Sequence, residues 1–225
     1  MNPKPIVDLR IYTGRQRAMP EFLRIAEKLG MPVQLRHVGA PLAYYVTDIG
    51  PQEEVMHLWG FDNLADMEAR RAARNKDPDW QTYIDATDGL IVKQQCRVVR
   101  RVPLPVMDKL TAAAAEKPLV DFRTLTIQRS RMSEFLQIFE TMALPVQLRH
   151  GGPPIALYTS EIGPLNELIQ LWGYDSLADM EALQASRHHD PAWQQYLLAS
   201  GPLIVSEDSR AIRRVLFTNQ ASRQA

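Results

Sequence analysis

The first half of the chain carries residues whose types suit proton transfer and anion binding. His57 has an ordinary pKa near neutrality, so it can give or take a proton. Tyr12 can orient or protonate an oxygen. Arg10 can anchor a carboxylate or a developing oxyanion. Asp8 and Trp59 stand two residues from Arg10 and His57. At a constant offset of 113 residues, Asp121, Arg123 and Trp172 repeat Asp8, Arg10 and Trp59, whereas Leu125 and Gln170 replace Tyr12 and His57. The expectation is one competent cavity in the first half and a degenerate or retuned one in the second. Arg36-His37 and Arg149-His150 follow a predicted helix and precede Gly39 or Gly152. They are expected in loops at a cavity mouth, where the arginine binds an anion or ties the loop to backbone carbonyls.

Each of these residues also has a structural reading. Large aromatics such as Trp59, Trp172, Trp80 and Trp193 dominate cores, and Tyr45 and Tyr158 recur as packing residues. Asp8/Arg10 and Asp121/Arg123 suit ion pairs across a pseudo-twofold axis, because a buried charge needs a partner. His57 suits a satisfied structural histidine as well as a catalytic one. Cys96 aligns with Ser209, so it reads as an inert thiol. His57, His37 and a carboxylate do not have the spacing of a metal set, so no metal is expected. A haem would have only His57 or His37 as axial ligand, and no cofactor is expected.

What positions these residues is a tandem repeat. Pro32 to His37 recurs as Pro145 to His150, Ile49-Gly50-Pro51 as Ile162-Gly163-Pro164, and Leu58-Trp59-Gly60 as Leu171-Trp172-Gly173. Residues 5–101 and 118–214 align without a gap, with roughly half of the positions identical. The domain reading is a first repeat over 1–101, a linker over 102–117 that has room for a short helix around Ala112–Ala115, and a second repeat with a tail over 118–225. Within one repeat, residues 7–13 alternate apolar and polar as a half-buried strand does. Residues 20–29 have helical spacing behind a proline. Residues 42–48 and 55–61 read as strands around the Gly50-Pro51 turn. Asn63 with Asp66 resembles a capping box, Asp77-Pro78 opens a short helix, and residues 90–99 form the last strand.

The order strand, helix, strand, strand, helix, strand is the ferredoxin-like arrangement, an α+β sheet with helices on one face. Two such sheets packed face to face would form a pseudo-twofold α+β barrel. Strand parity puts Val7, Leu9 and Ile11 on one face and Asp8, Arg10 and Tyr12 on the other. His57 and Trp59 share a face of the third strand. The apolar sets are expected to meet the helices, and the polar sets to point into the barrel interior.

Composition narrows the function classes. The 225 residues carry 26 basic and 26 acidic side chains and no net charge. A nucleic-acid binder usually shows a basic excess or stripe. A single cysteine excludes an intramolecular disulfide. No apolar run approaches the ~20 residues that span a bilayer, and residues 1–5 do not resemble a signal peptide. The expected compartment is the cytoplasm, and the expected assembly a monomer or homo-oligomer.

The strand Asp8-Leu9-Arg10-Ile11-Tyr12, the Pro-Val-Gln-Leu-Arg-His segment, Ile-Gly-Pro, His57-Leu58-Trp59 and Asp77-Pro78-Asp79-Trp80 together resemble the NIPSNAP family, over nearly all of both repeats. The resemblance implies the dimeric α+β barrel superfamily, which includes small monooxygenases, isomerases and haem enzymes as well as members without known activity. It implies a cofactor-independent, monooxygenase- or isomerase-like enzyme acting on a hydrophobic oxygenated substrate held inside the barrel. His57 would be general base or acid, Tyr12 its partner and Arg10 the anchor, with Asp8, Trp59, Arg36, His37, Arg123, Trp172, Arg149 and His150 around the ligand. The alternative is a non-catalytic ligand-binding or protein-interaction scaffold. A cavity of ~300 Å³ or more beside His57 favours a ligand; a filled interior favours the scaffold.

Overall fold

The computed structural model describes residues 4–104 and 114–217. The chain divides into two compact units, Met1–Arg100 with Arg214–Ala225, and Arg101–Arg213. The short helix expected at Ala112–Ala115 falls largely outside the described residues.

The first unit contains β1 (Ile6–Gly14), α1 (Met19–Ile25), α2 (Met31–His37), β2 (Ala43–Ile49), β3 (Glu54–Phe61), α3 (Leu64–Asn75), α4 (Pro78–Ala86) and β4 (Ile91–Arg101). The strands order as β4-β1-β3-β2, all antiparallel neighbours. This is the ferredoxin-like sheet expected from the element order. The described tail returns to this unit: the Val215 amide donates to the Tyr44 carbonyl at 2.8 Å, and the Phe217 ring lies 4.9 Å from that of Tyr44.

The helix ends follow from local chemistry. The Asn63 side chain accepts from the Asp66 amide at 2.9 Å while the Asp66 carboxylate accepts from the Asp62 amide at 3.0 Å, so two orphan donors are satisfied. Asp77 caps α4 through the Asp79 amide, with Pro78 in the first turn. The Glu53 carboxylate accepts from the Met19 amide at 3.1 Å and the Arg17 amide at 2.9 Å, fixing the start of α1. α1 runs without a break through a π-helical turn, Ala26–Gly30, into α2. The Pro32 to His37 segment is therefore helical, which corrects the loop expected for Arg36 and His37. Pro32 falls in the first turn of α2, directly after the π-helical turn.

Register then sets the site. Arg10 stands opposite Cys96 on β4 and His57 on β3, and His57 stands opposite Tyr44 on β2. Directly opposed residues share a face, so Cys96, Arg10, His57 and Tyr44 form one row across the sheet. Trp59 and Tyr12 flank it.

The parity grouping is observed, but the faces are inverted from the expectation. Tyr12, Tyr44 and Trp59 pack with Phe22 of α1, Met31 of α2 and Tyr83 of α4, so this row meets the helix layer. Val7, Leu9, Ile11, Met56 and Leu58 occupy the opposite face and are 0–3% exposed. Parity sorts residues by face but does not say which face the helices cover. The aliphatic set has no polar atom to satisfy and tolerates complete burial. The aromatic and polar row satisfies its own donors and acceptors, as described below, and is the one that lies under the helices.

The second unit repeats the plan with β5 (Leu119–Ile127), α5 (Met132–Ile138), α6 (Leu144–His150), β6 (Ala156–Ile162), β7 (Glu167–Tyr174), α7 (Leu177–His188), α8 (Pro191–Ser200) and β8 (Ile204–Arg214). Its sheet orders as β8-β5-β7-β6, and a π-helical turn, Phe139–Ala143, again joins the first two helices. No helix among the described residues is long and apolar enough to cross a membrane.

Candidate functional site

A cavity of about 340 Å³ lies within the first unit, between the sheet and its helices. Arg10, Tyr12, Tyr44 and His57 form its floor on the strands. Gln34 of α2, Arg74 of α3 and Trp80 and Tyr83 of α4 form its roof. Asp88 and Gly89, both exposed, mark where it reaches the surface. Its place under the helices replaces the expected one on the helix-free face. The volume falls in the range of about 300–1,000 Å³ common for small-molecule sites.

The floor is organised around His57. Trp59 Nε1 donates to His57 Nδ1 at 2.6 Å. An indole N–H only donates, so Nδ1 is the acceptor and the ring proton sits on Nε2. That Nε2 is buried and has no hydrogen-bond partner among the described residues. Tyr44 stacks on the imidazole at 4.8 Å and Tyr12 meets it edge-on at 4.8 Å. Burial, and then the nearby Arg10 charge, push the His57 pKa down to about 3. At neutral pH His57 is therefore a neutral hydrogen-bond donor. Its occupied Nδ1 and disfavoured imidazolium suit it to donating a hydrogen bond from Nε2 more than to taking up a proton.

Arg10 is held from both sides. Its Nε donates to Asp8 at 2.8 Å and its Nη1 to the Tyr12 hydroxyl at 2.7 Å. The Tyr12 hydroxyl accepts from Arg10 and keeps its own proton for donation. Asp8 is 2% exposed and also accepts from Arg71 and from the Cys96 thiol at 3.0 Å. Burial alone raises the Asp8 carboxyl, but Arg10, Cys96 and Arg71 outweigh it and hold it below the usual range. Burial, and then Asp8, push the Cys96 thiol up, away from nucleophilic use. Asp8 pairs with Arg10 on its own strand, so the ion pair is internal to the repeat rather than across an axis. Asp8 and Trp59 do not line the cavity; they position Arg10 and His57.

Arg36 and His37 are elsewhere. Arg36 donates to Asp77 at 2.9 Å and Asp79 at 2.7 Å, and His37 meets Asp77 at 2.7 Å. Arg149 and His150 bind Asp190 in the same way, at 2.7 and 3.0 Å. These four tie the end of one helix to the capping carboxylate of another. Their expected place around a ligand is corrected accordingly. Among the described residues no three His, Cys, Asp or Glu side chains are grouped to hold a metal ion.

The model of the NIPSNAP family matches residues 7–105 and again residues 120–219. The chain belongs to the NIPSNAP family. It is 22% identical over 209 residues to the NipSnap homolog of Dictyostelium discoideum, covering 92% of this chain and 86% of that protein. It is 26% identical over 215 residues to human NipSnap homolog 3A, covering 94% and 84%. Among solved structures, a Lactobacillus acidophilus protein named for a proposed monooxygenase activity superposes with a TM-score of 0.63 at 12% identity, covering 94% of each chain. That likeness shows the fold: α+β, two tandem ferredoxin-like repeats, of the dimeric α+β barrel class.

The second NIPSNAP repeat has a cavity of only about 50 Å³ at the equivalent place. Gln170 stands where His57 does, and its Oε1 accepts from Trp172 Nε1 at 2.9 Å. Leu125 and Leu157 replace Tyr12 and Tyr44, and Phe139 replaces Ala26. The Phe139 ring lies 6.4 Å from Trp172 and 6.5 Å from Tyr196 and lines the smaller cavity. Arg123 reaches Asp121 at 2.7 Å and Glu207 at 2.9 Å. The first repeat has Gln94 at the position of Glu207, so Arg10 lacks this second carboxylate.

Arg74, Gln34, Tyr44 and Tyr83 were not singled out from sequence, and Trp80 was read as core. A signal existed for Arg74. Of the three arginines Arg70, Arg71 and Arg74 on α3, only Arg74 recurs, as Arg187.

Proposed function

We propose that the first repeat binds a planar, oxygenated small molecule in its 340 Å³ cavity and stabilises its enolate or phenolate form. The observation that carries this is the His57 Nε2–H, buried and without a hydrogen-bond partner among the described residues, beside Arg10 and the Tyr12 hydroxyl. A buried donor left unmade costs about 1–3 kcal/mol, a cost that a ligand oxygen relieves. All three groups donate, so together they favour negative charge on that oxygen. Tyr12, Phe22, Tyr44, Trp80 and Tyr83 supply flat walls for an aromatic or otherwise conjugated ligand. Enolate stabilisation is the step shared by cofactor-independent monooxygenation and by isomerisation, the two chemistries that the fold class suggests. His57 serves as a neutral hydrogen-bond donor in this reading, and the ligand's proton passes to water or a buffer base at the cavity mouth.

The test is ionisation of a bound phenol. 2-Naphthol added to the protein at neutral pH should show the absorption band of its naphtholate. The Tyr12→Leu variant, which carries the residue found at position 125, should lose that signature. Naphthol that binds without any shift in its ionisation would reduce the reading to a passive binding site.

A further inference from the structure

Arg74 is 8% exposed, and its side-chain partners among the described residues are neutral amides and an aromatic ring. Its Nε and Nη2 donate to Asn75 at 3.2 and 3.0 Å, and its Nη1 reaches Gln34 Oε1 at 3.4 Å. The guanidinium carbon lies 4.0 Å over the Trp80 ring. Burying an ion costs several kcal/mol even after relaxation, whereas a cation–π contact returns about 0.5–2 kcal/mol and a hydrogen bond to a neutral amide about 1 kcal/mol. The balance is unfavourable for a residue serving packing alone. Burial, and then the charges of Arg10 and Arg71, push the Arg74 pKa down to about 10. The second repeat keeps the same arrangement, with Arg187 donating to Gln147 at 2.8 Å and lying 4.2 Å over Trp193, so the arrangement belongs to the shared frame and the first repeat differs in the room open beside it.

Charge around the cavity points the same way. Arg10 and Arg71 share the single carboxylate of Asp8. Arg74 adds a further cation, and the carboxylate on the described cavity wall, Asp88, is exposed at the rim. Gln94 leaves uncharged the position where Glu207 compensates Arg123 in the second repeat.

We infer that Arg74, Gln34 and Trp80 form a seat for a carboxylate or similarly flat anionic group, so that the first-repeat cavity selects conjugated acids over neutral conjugated molecules. The inference rests on the reading that this cavity binds a planar ligand. The guanidinium supplies the charge-assisted donors, Gln34 fixes its orientation, and Trp80 stacks against the plane. The ligand then carries two oxygen functions, one at Arg74 and one at the Arg10, Tyr12 and His57 donors.

Calorimetric titration with 2-naphthoate and its neutral isostere 2-naphthamide tests this. The wild type should bind the acid at least about tenfold more tightly, equivalent to 1.4 kcal/mol. Gln94→Glu copies the residue at position 207, which pairs with Arg123, and so adds a carboxylate to the cavity wall on the Arg10 side. It should weaken 2-naphthoate by about tenfold or more and leave 2-naphthamide within about twofold. Arg74→Met should also abolish the preference for the acid. Equal affinity of the wild type for both ligands, or equal weakening of both by Gln94→Glu, overturns the anion seat while leaving a planar-ligand cavity in place. Binding of neither ligand overturns the cavity reading and the seat together.

Discussion

At the scale of single residues, the behaviour of His57 follows from what Trp59 does to it. The indole N–H occupies Nδ1, burial disfavours the imidazolium, and a type that suggests acid–base chemistry becomes a neutral donor. This has a consequence for acid stability. His57 falls from 6.5 to about 3 in the folded protein, so below pH 6.5 the unfolded chain takes up a proton that the folded chain refuses. The contribution is fully present above pH 6.5 and is lost progressively toward pH 3, amounting to about 5 kcal/mol at 1.36 kcal/mol per unit. Asp8, also held low, loses its contribution in the same direction below its ordinary range. His57→Gln, which copies Gln170, should keep the bond from Trp59 and flatten the loss between pH 6.5 and 3, as followed by urea unfolding. A variant as acid-sensitive as the wild type would mean that His57 titrates normally. Tyr12→Leu should weaken an oxygenated ligand by about 10- to 100-fold, since a hydrogen bond to a charged group is worth about 1.5–3 kcal/mol. Titration of 2-naphtholate against both proteins reads this directly.

At the scale of elements, strands, capping residues and turns were legible because each is local. Asn63 with Asp66, Asp77 with Pro78, and the alternation in residues 7–13 each announce an element without reference to the rest of the chain. The π-helical turn was not legible. Nothing in the spacing of Ala26 to Gly30 distinguishes it from a helix end, so the residues after it were read as a loop. Arg36 and His37 look like ligand groups when their tertiary partner, Asp77, is 40 residues away. The choice of face was hidden for the same reason: parity is a property of one strand, and helix cover is a property of the whole unit. Gly30, the last residue of the π-helical turn, bears on cavity width. A Cβ on Gly30 would meet the Tyr83 ring at 2.8 Å, and Ala143 occupies that position in the second repeat, where Tyr196 lines the smaller cavity. Gly30→Ala should push Tyr83 into the cavity and weaken 2-naphthoate by about tenfold with helical circular dichroism unchanged. Unaltered affinity would show that Tyr83 has room to retreat.

At the scale of the whole molecule, duplication has left two copies of one frame with different interiors. Asp8 and Asp121 each anchor an arginine, Trp59 and Trp172 each donate to the residue two positions before them, and Arg74 and Arg187 each lie on a tryptophan. The copies diverge where Tyr12, Tyr44, His57, Ala26 and Gln94 become Leu125, Leu157, Gln170, Phe139 and Glu207. That asymmetry was partly visible in the sequence through Tyr12 and His57. The exchanges at Ala26 and Gln94 acquire meaning only in the structure, where Gln94 lines the first cavity and Phe139, at the position of Ala26, lines the second. Phe139→Ala should cost about 3–5 kcal/mol, the usual range for a buried phenylalanine. It should also enlarge the second cavity, seen as an added ordered ligand or solvent in a crystal structure of the variant. The central claim, one working cavity per chain, is tested most directly by the stoichiometry of 2-naphthoate in native mass spectrometry. The account predicts one ligand per chain, lost in Tyr12→Leu. Two equivalent ligands per chain, or one that Tyr12→Leu leaves untouched, would contradict it.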